Sequence, residues 1–132
     1  MKKIYLLWSI LLLCFSHGIA QVSFQTKVSK NRLGLNERLR VSFEMNQNGD
    51  NFTPPSFNGF NVVGGPNQSV SNSWVNGVRS FSKSYTYFLT PTRKGKITIA
   101  QASIEIDGEV YKTTPVQIEV TQAVNNPNSP QA

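Results

Sequence analysis

The sequence is poorest in the two residue types that most often carry chemistry. It contains one cysteine, Cys14, and one histidine, His17, among its 132 residues. Both precede Gln21, so the rest of the chain cannot form a cysteine–histidine or serine–histidine nucleophile pair, or a metal site built on these ligands. No disulfide can stabilise it either. About a hundred residues must therefore fold around a core of their own.

The first twenty residues have the pattern of a secretory signal peptide. A basic head, Met1–Lys3, precedes the apolar run Ile4–Phe15, and the small residues Gly18 and Ala20 follow. This order predicts export and cleavage after Ala20. The alternatives are an uncleaved anchor, for which the run is short, and a lipidated Cys14, which lacks a small residue before it.

Cleavage would leave a moderately basic domain. Losing Lys2 and Lys3 leaves 11 basic and 7 acidic residues, a net charge of +4. We expect residues 21–121 to form one domain and the polar segment 122–132, rich in Pro and Asn, to be a tail or linker. The predicted location is the periplasm, peripheral to the cytoplasmic membrane at most, with no membrane span in the mature chain.

Strand patterns dominate after the leader. Apolar and polar residues alternate with period two in Val22–Val28 and in Glu37–Met45, which is typical of strands with one face against a core. With turn residues every 8–12 positions, the pattern predicts an all-β fold, an immunoglobulin-like β-sandwich of about 7–9 antiparallel strands. The other predicted strands are Phe60–Val63, Gln68–Val75, Val78–Leu89, Lys96–Ile106, Glu109–Thr113 and Pro115–Val120.

Two dipeptides predict tight hairpin turns. Asn76-Gly77 and Asp107-Gly108 each stand between two predicted strands, and both suit a type I′ turn, whose central residues need positive φ. Other stretches rich in Gly, Pro and Asn are predicted to be connections between strands. These connections are Ser29–Asn36, Gln47–Pro55 and Gly64–Pro66.

The strand Val78–Leu89 has an aromatic and cationic face that allows two interpretations. In one, Tyr85, Tyr87 and Leu89 pack inward and the cations extend past the rim. In the other, Trp74, Phe81 and Tyr85 form a partly exposed platform for a peptide or a sugar, since Trp, Tyr and Arg are favoured in binding hot spots. The candidate interaction residues are Trp74, Arg79, Phe81, Lys83, Arg93 and Lys94.

Two charged clusters are weaker candidates for chemistry. Arg93 and Lys94 lie in a basic corner that could bind an anion but equally suits a solvated turn. Glu105, Asp107 and Glu109 flank a hairpin tip, where a Ca²⁺ or acid–base site is conceivable, although the turn itself needs Asp107. We therefore predict no catalytic residue, metal or cofactor, and no binding of nucleic acid.

The order of motifs from Ser69 to Val120 resembles a known family. A hairpin strand ending in SYTYFLTP, a P-x-x-K-G corner at Pro91–Gly95, the strand ITIAQASIEIDGEVY and the closing KTTPVQIEV follow one another. This pattern is similar to the first extracytoplasmic domain of BatD, in the Bat aerotolerance family. The resemblance covers about residues 21–121 and contains no catalytic signature.

The resemblance implies a partner class rather than a reaction. The family implies immunoglobulin-like repeats outside the cytoplasmic membrane, a C-terminal membrane helix, and association with BatA/BatB-like von Willebrand A-domain proteins and a MoxR-type ATPase. No apolar segment follows Val120 in this sequence. We therefore expect either a truncated or split member of the family or a one-domain relative.

The resulting hypothesis is a non-catalytic protein–protein interaction domain, part of a Bat-type envelope assembly linked to oxygen tolerance. Recognition would use an exposed sheet edge or the loops Asn46–Pro55 and Gly64–Ser69. The alternative is a carbohydrate-binding module that uses Trp74 and nearby aromatic residues.

We predict that the exported protein begins at Gln21, because a small-x-small site follows the apolar run. Peptide mass mapping of the N-terminus in the envelope fraction measures this directly. A cytoplasmic protein that retains Met1 would contradict the prediction.

Overall fold

The computed structural model describes residues 21–124, which contain ten β-strands and no helix. The predicted signal peptide and residues 125–132 of the predicted tail lie outside the described residues. Over 21–124, no helix is long and apolar enough to cross a membrane. The strands are β1 Phe24–Val28, β2 Arg32–Gly34, β3 Leu39–Met45, β4 Asp50–Thr53, β5 Phe60–Val75, β6 Val78–Pro91, β7 Gly95–Ile99, β8 Ser103–Ile106, β9 Glu109–Lys112 and β10 Val116–Thr121.

The strands form three sheets. The largest has the order β1-β3-β6-β5, and the two smaller ones have the orders β2-β10-β7 and β4-β8-β9. All pairings are antiparallel except that of β2 with β10, which is parallel. The all-β sandwich class is confirmed. The described residues contain ten strands rather than about 7–9, because short strands form in two predicted connections.

The core lies between the large sheet and the two small ones. Leu39, Val41 and Phe43 of β3 are fully buried in one cluster with Ile97 of β7 and Ile118 of β10. A second cluster joins the end of β3 to β8. Because period-two alternation gives each strand one apolar face, the two small sheets can together cover the inner face of the large sheet.

Three predicted boundaries are wrong, and tertiary pairing explains each one. Arg32–Gly34 pairs with β10 and Asp50–Thr53 pairs with β8, although both stretches look like connections. The predicted strand Lys96–Ile106 divides into β7 and β8, which belong to different sheets. Local composition could not reveal these partners, because each one lies far away in the sequence.

The Gly64–Pro66 segment does not end a strand, as the sequence predicted. It lies inside the 16-residue strand β5, whose register against β6 shifts on both sides of Gly64. Gly65 has a φ of 89°, and a Cβ atom there would lie 2.3 Å from the backbone oxygen of Thr86. Glycine therefore lets the bulged strand pass close to β6 and continue. The predicted loop Gly64–Ser69 is consequently strand.

Both predicted hairpin turns are present. Val75 is paired with Val78 across Asn76-Gly77, and Ile106 is paired with Glu109 across Asp107-Gly108. The φ angles are 51° and 76° in the first turn and 51° and 80° in the second. The positive values at both central residues are those of a type I′ turn.

The connection from β2 to β3 is held by Glu37. Its carboxylate accepts hydrogen bonds from Lys30 Nζ at 2.6 Å and from the Gly34 backbone N–H at 2.9 Å. The Lys30 hydrogen bond, and then the Gly34 N–H, lower the pKa of Glu37 below its ordinary value. The charged form is therefore favoured in the folded state.

We predict that Glu37→Gln lowers the free energy of unfolding by about 0.5–1 kcal/mol at neutral pH, since the pair is partly exposed. Because the pKa of Glu37 is lower in the folded state than in the unfolded state, its carboxylate stabilises the fold at every pH above the unfolded pKa. This contribution is lost as the pH falls through the folded pKa. Urea midpoints of the two proteins should therefore differ at neutral pH and converge as the pH falls below the folded pKa of Glu37. Equal midpoints at neutral pH would contradict this role for Glu37.

Candidate functional site

A β-hairpin projects beyond the body of the sandwich. The last residue of β3 that is paired with β6 is Met45, opposite Lys83. Beyond this level, Ser71–Val75 of β5, the Asn76-Gly77 turn and Val78–Ser82 of β6 pair only with each other. We call Ser71–Ser82 the arm. All its residues are exposed except Phe81, which is half-buried.

The two faces of the arm differ in chemistry. Directly opposite residues share a face, so Trp74 and Arg79 lie together, as do Asn72 and Phe81. The other face is built from small hydroxyl side chains and ends in two valines at the tip. Its cross-strand pairs are Ser71 with Ser82, Ser73 with Ser80 and Val75 with Val78. We call the first the aromatic face of the arm.

Arg79 lies across the aromatic face. Its Nε donates a hydrogen bond to Asn72 Oδ1 at 3.1 Å, and its Cζ lies 5.8 Å from the centre of the Phe81 ring. Trp74, directly opposite, is 69% exposed. Among residues 21–124, no carboxylate forms an ion pair with Arg79. The arm thus presents a cation and an indole ring to solvent side by side.

Lys83 fastens the root of the arm to the body. Its Nζ lies 3.2 Å from Asn48 Oδ1 and 3.5 Å from the Gly49 carbonyl oxygen, and 5.5 Å from the centre of the Tyr85 ring. These contacts tie β6 to the connection between β3 and β4. A shallow concavity of about 380 Å³ opens beside this connection. It is lined by Asn46, Gln47, Asn48, Arg79 and Phe81.

Tyr85 belongs to the body and not to the arm. Its ring stacks on Phe52 with a centroid distance of 4.2 Å and an interplanar angle of 2°. Tyr87 and Leu89 are buried, and burial raises the pKa of the Tyr87 phenol. The inward packing of these three residues is confirmed. The predicted platform of Trp74, Phe81 and Tyr85 is therefore divided between arm and core.

The basic corner lies at the opposite end of β6. Arg93 and Lys94 follow Pro91, the last residue of β6, whereas the tip of the arm immediately precedes Val78, the first residue of β6. The 14 residues of β6 separate them by roughly 45 Å at about 3.3 Å per residue. The six candidate interaction residues thus form two groups, with Trp74, Arg79, Phe81 and Lys83 on or beside the arm.

Two of the three carboxylates near the second turn accept hydrogen bonds from side chains. Glu105 accepts one from Asn51 Nδ2 at 2.8 Å, and Glu109 accepts one from the Tyr111 hydroxyl at 3.0 Å. Within the described range, no group of three or more His, Cys, Asp or Glu side chains could hold a metal ion.

A further concavity is an open depression on the outer face of the large sheet. It measures about 520 Å³ and is lined in part by Lys27, Glu44, Ser42 and Thr86. Lys27 and Glu44 form a 2.8 Å ion pair, and the hydroxyls of Ser42 and Thr86 lie 2.9 Å apart. These four polar side chains are therefore paired with one another.

A charge pattern that distinguishes the arm was visible in the sequence. The strand β5 has no charged residue over its 16 positions. Between Asp50 and Glu105 the chain has no acidic residue, and the charged residues in this interval are all cations. They are Arg79, Lys83, Arg93, Lys94 and Lys96. The arm therefore stands in a purely positive section of the chain.

A comparison with models of protein families shows which family the chain belongs to. The model of the BatD DUF11-like domain matches residues 26–120. The chain belongs to the BatD family. The matched residues begin within β1, end at Val120 in β10 and span the whole arm. No curated protein matches the chain.

We predict that Gly77→Val loosens the arm without unfolding the BatD domain. Gly77 has a φ of 76° and no atom within 4 Å of the position of a Cβ, so the cost, about 1–2 kcal/mol, arises from backbone strain alone. Amide exchange within Ser71–Ser82 should accelerate about tenfold while that of β3 stays unchanged.

The matched control is Gly108→Val, since Gly108 also has a positive φ and open space around it. This substitution should accelerate exchange in β8 and β9 and leave the arm unaffected. An unchanged exchange rate in the arm of the Gly77 variant would show that its turn tolerates a β-branched residue.

Proposed function

We propose that this BatD domain is an exported, non-catalytic binding domain that holds another envelope protein by its arm. The partners proposed from the family are BatA/BatB-like von Willebrand A-domain proteins, in an assembly linked to oxygen tolerance. The observation that carries the proposal is the arm itself, which exposes Trp74, Val75, Val78 and Arg79 away from the body.

Physical reasons favour a binding role for such an arm. A two-stranded hairpin with both faces in water is marginally stable, and a partner strand or surface would bury its exposed side chains. Tryptophan and arginine are enriched among the residues that dominate interface energies. The root contacts of Lys83 hold the arm in place before binding.

The contacts of the polar groups support a non-catalytic role. Glu105 and Glu109 are hydrogen-bonded to neighbouring side chains, and Glu37 and Glu44 are paired with lysines. A general acid or base must instead face a reacting group that enters a cleft. The concavities of about 520 Å³ and 380 Å³ are open depressions.

Carbohydrate binding is the second candidate, and one observation favours it. The 380 Å³ concavity combines Phe81 with the side chains of Asn46, Gln47, Asn48 and Arg79, and rings and amides are groups that bind sugars. Trp74 does not line this concavity, so the most exposed ring and the amide groups are not combined in one site. We therefore rank protein binding first.

Removing the arm tests the proposal. Replacing Asn72–Phe81 by Asn-Gly joins Ser71 to Ser82, which are paired directly opposite each other like Val75 and Val78. The shortened hairpin keeps its register and pair type, so the body should keep its circular dichroism spectrum. Capture of envelope proteins by the immobilised domain should fall at least about tenfold, since the arm would supply the main contacts.

Two further variants separate the alternatives. Arg93→Ala removes a cation at the far end of β6 and should leave protein capture unchanged. Trp74→Ala should abolish binding on glycan arrays if the domain is a carbohydrate-binding module. Undiminished capture by the armless variant would refute the role of the arm, and saturable glycan binding lost with Trp74 would promote the second candidate.

A further inference from the structure

The arm has a free edge that is unlike the other sheet edges of the described domain. The strands at the edges of the three sheets are β1 and β5, β2 and β7, and β4 and β9. All of them except β5 have at most five residues. Only β5 is long enough to hold an extended partner along much of its length.

The edge of β5 also lacks the charges that protect the others. Natural sheets block unwanted pairing with charged residues, prolines and short edge strands. Beyond the bulge at Gly64–Pro66, the stretch Asn67–Val75 has no charge, glycine or proline, and all its residues are exposed. The charged residues on the other edges are Lys27 on β1, Arg32 on β2, Asp50 on β4, Lys96 on β7, and Glu109 and Lys112 on β9.

The backbone of this stretch can accept another strand. Because Val75 and Val78 close a two-residue turn, they form a hydrogen-bonded pair, and such pairs alternate along the hairpin. The intervening residues of β5 therefore direct their N–H and C=O groups away from β6. These residues are Gln68, Val70, Asn72 and Trp74.

Charge indicates which kind of strand would fit. Asn72 on β5 accepts a hydrogen bond from Arg79, which holds this cation on the same face as Trp74. From residue 51 to residue 104 the chain has only cations, so nothing in this section neutralises Arg79. A second copy of the chain would bring the same uncharged strand and another Arg79, and it would supply no carboxylate from this section.

We propose that the free edge of β5, Asn67–Val75, is a strand-addition site for an extended acidic segment of the partner protein. Backbone hydrogen bonds supply affinity, and a carboxylate that meets Arg79 beside Trp74 sets the preference. This inference rests on the proposed function, because it specifies how the arm holds its partner.

Peptide titrations followed by nuclear magnetic resonance test the inference, with the protein in the form that the cell produces. The probes are two synthetic peptides, the acidic Thr-Val-Glu-Val-Glu-Val-Thr and the basic Thr-Val-Lys-Val-Lys-Val-Thr. The acidic peptide should bind saturably, shift the amide signals of Asn67–Val75 and slow their exchange. The basic peptide should bind at least about tenfold more weakly, because it meets only cations.

Matched variants separate backbone from side-chain effects. Val70→Pro removes an outward N–H, whereas Val70→Ala removes the side chain but keeps this donor. Affinity for the acidic peptide should fall at least about tenfold in the first variant and stay within about twofold in the second. Arg79→Gln, which leaves the backbone intact, should reduce affinity about three- to tenfold and abolish the preference for the acidic peptide.

Each other outcome overturns the inference. Equal binding of both peptides would refute the acidic preference, and equal loss in the two Val70 variants would refute backbone pairing. Self-association that Val70→Pro abolishes would identify a second copy as the occupant. Binding of anionic phospholipid vesicles through Trp74, Val75 and Val78, with no peptide binding, would assign the arm to a membrane surface.

The proposed function and the strand-addition mode can fail separately. If the armless variant loses envelope capture while Val70→Pro captures normally, the arm binds its partner by a face and strand addition is wrong. If the armless variant captures normally, the proposed role of the arm fails, whatever the peptides do.

Discussion

The antiparallel register of β3 against β6 is the constraint on which the rest of the molecule depends. It places Leu39 opposite Leu89, Val41 opposite Tyr87 and Phe43 opposite Tyr85, so one apolar face is buried against the two small sheets. A slip by one residue would turn this whole set towards water. The same register leaves part of β6 without a partner on that side, because β3 has seven residues and β6 has fourteen. The arm is the direct consequence of this difference in length.

Local patterns were sufficient where the determining interaction is local. Alternation predicted the faces of β3 and β6, and the positive φ demanded by a two-residue turn predicted both hairpins. The predicted Asn76-Gly77 hairpin also placed Trp74, Arg79 and Phe81 close together on two paired strands. The exposure of these residues could not be read from β5 and β6 alone, because it depends on where β3 stops. Likewise, β2 and β4 form because they pair with strands that are distant in the sequence. The local composition of Arg32–Gly34 and Asp50–Thr53 does not predict this pairing.

The chain protects its sheet edges unevenly, and this unevenness connects stability with function. Short length and charge protect five of the six edge strands, whereas β5 carries neither protection beyond its bulge. An uncharged, exposed edge is a liability for a protein that only has to fold. Its presence beside an unneutralised arginine is understandable if the edge has a partner to pair with. The irregular stretch at Gly64–Pro66, with a register shift on each side of Gly64, separates the part of β5 near the core from the part that is free to bind.

The root of the arm explains how an exposed hairpin could bind without a large entropic penalty. A flexible arm would lose conformational freedom on binding, and ordering each such segment weakens affinity. Here Lys83 contacts Asn48 and Gly49, and Tyr85 stacks on Phe52, immediately below the first unsupported residues. The backbone of β5 continues from this anchored level into the arm without a break in strand pairing from Asn67 to Val75. The core therefore fixes the direction of the arm, and the residues of the arm, Ser71–Ser82, supply the side chains for recognition.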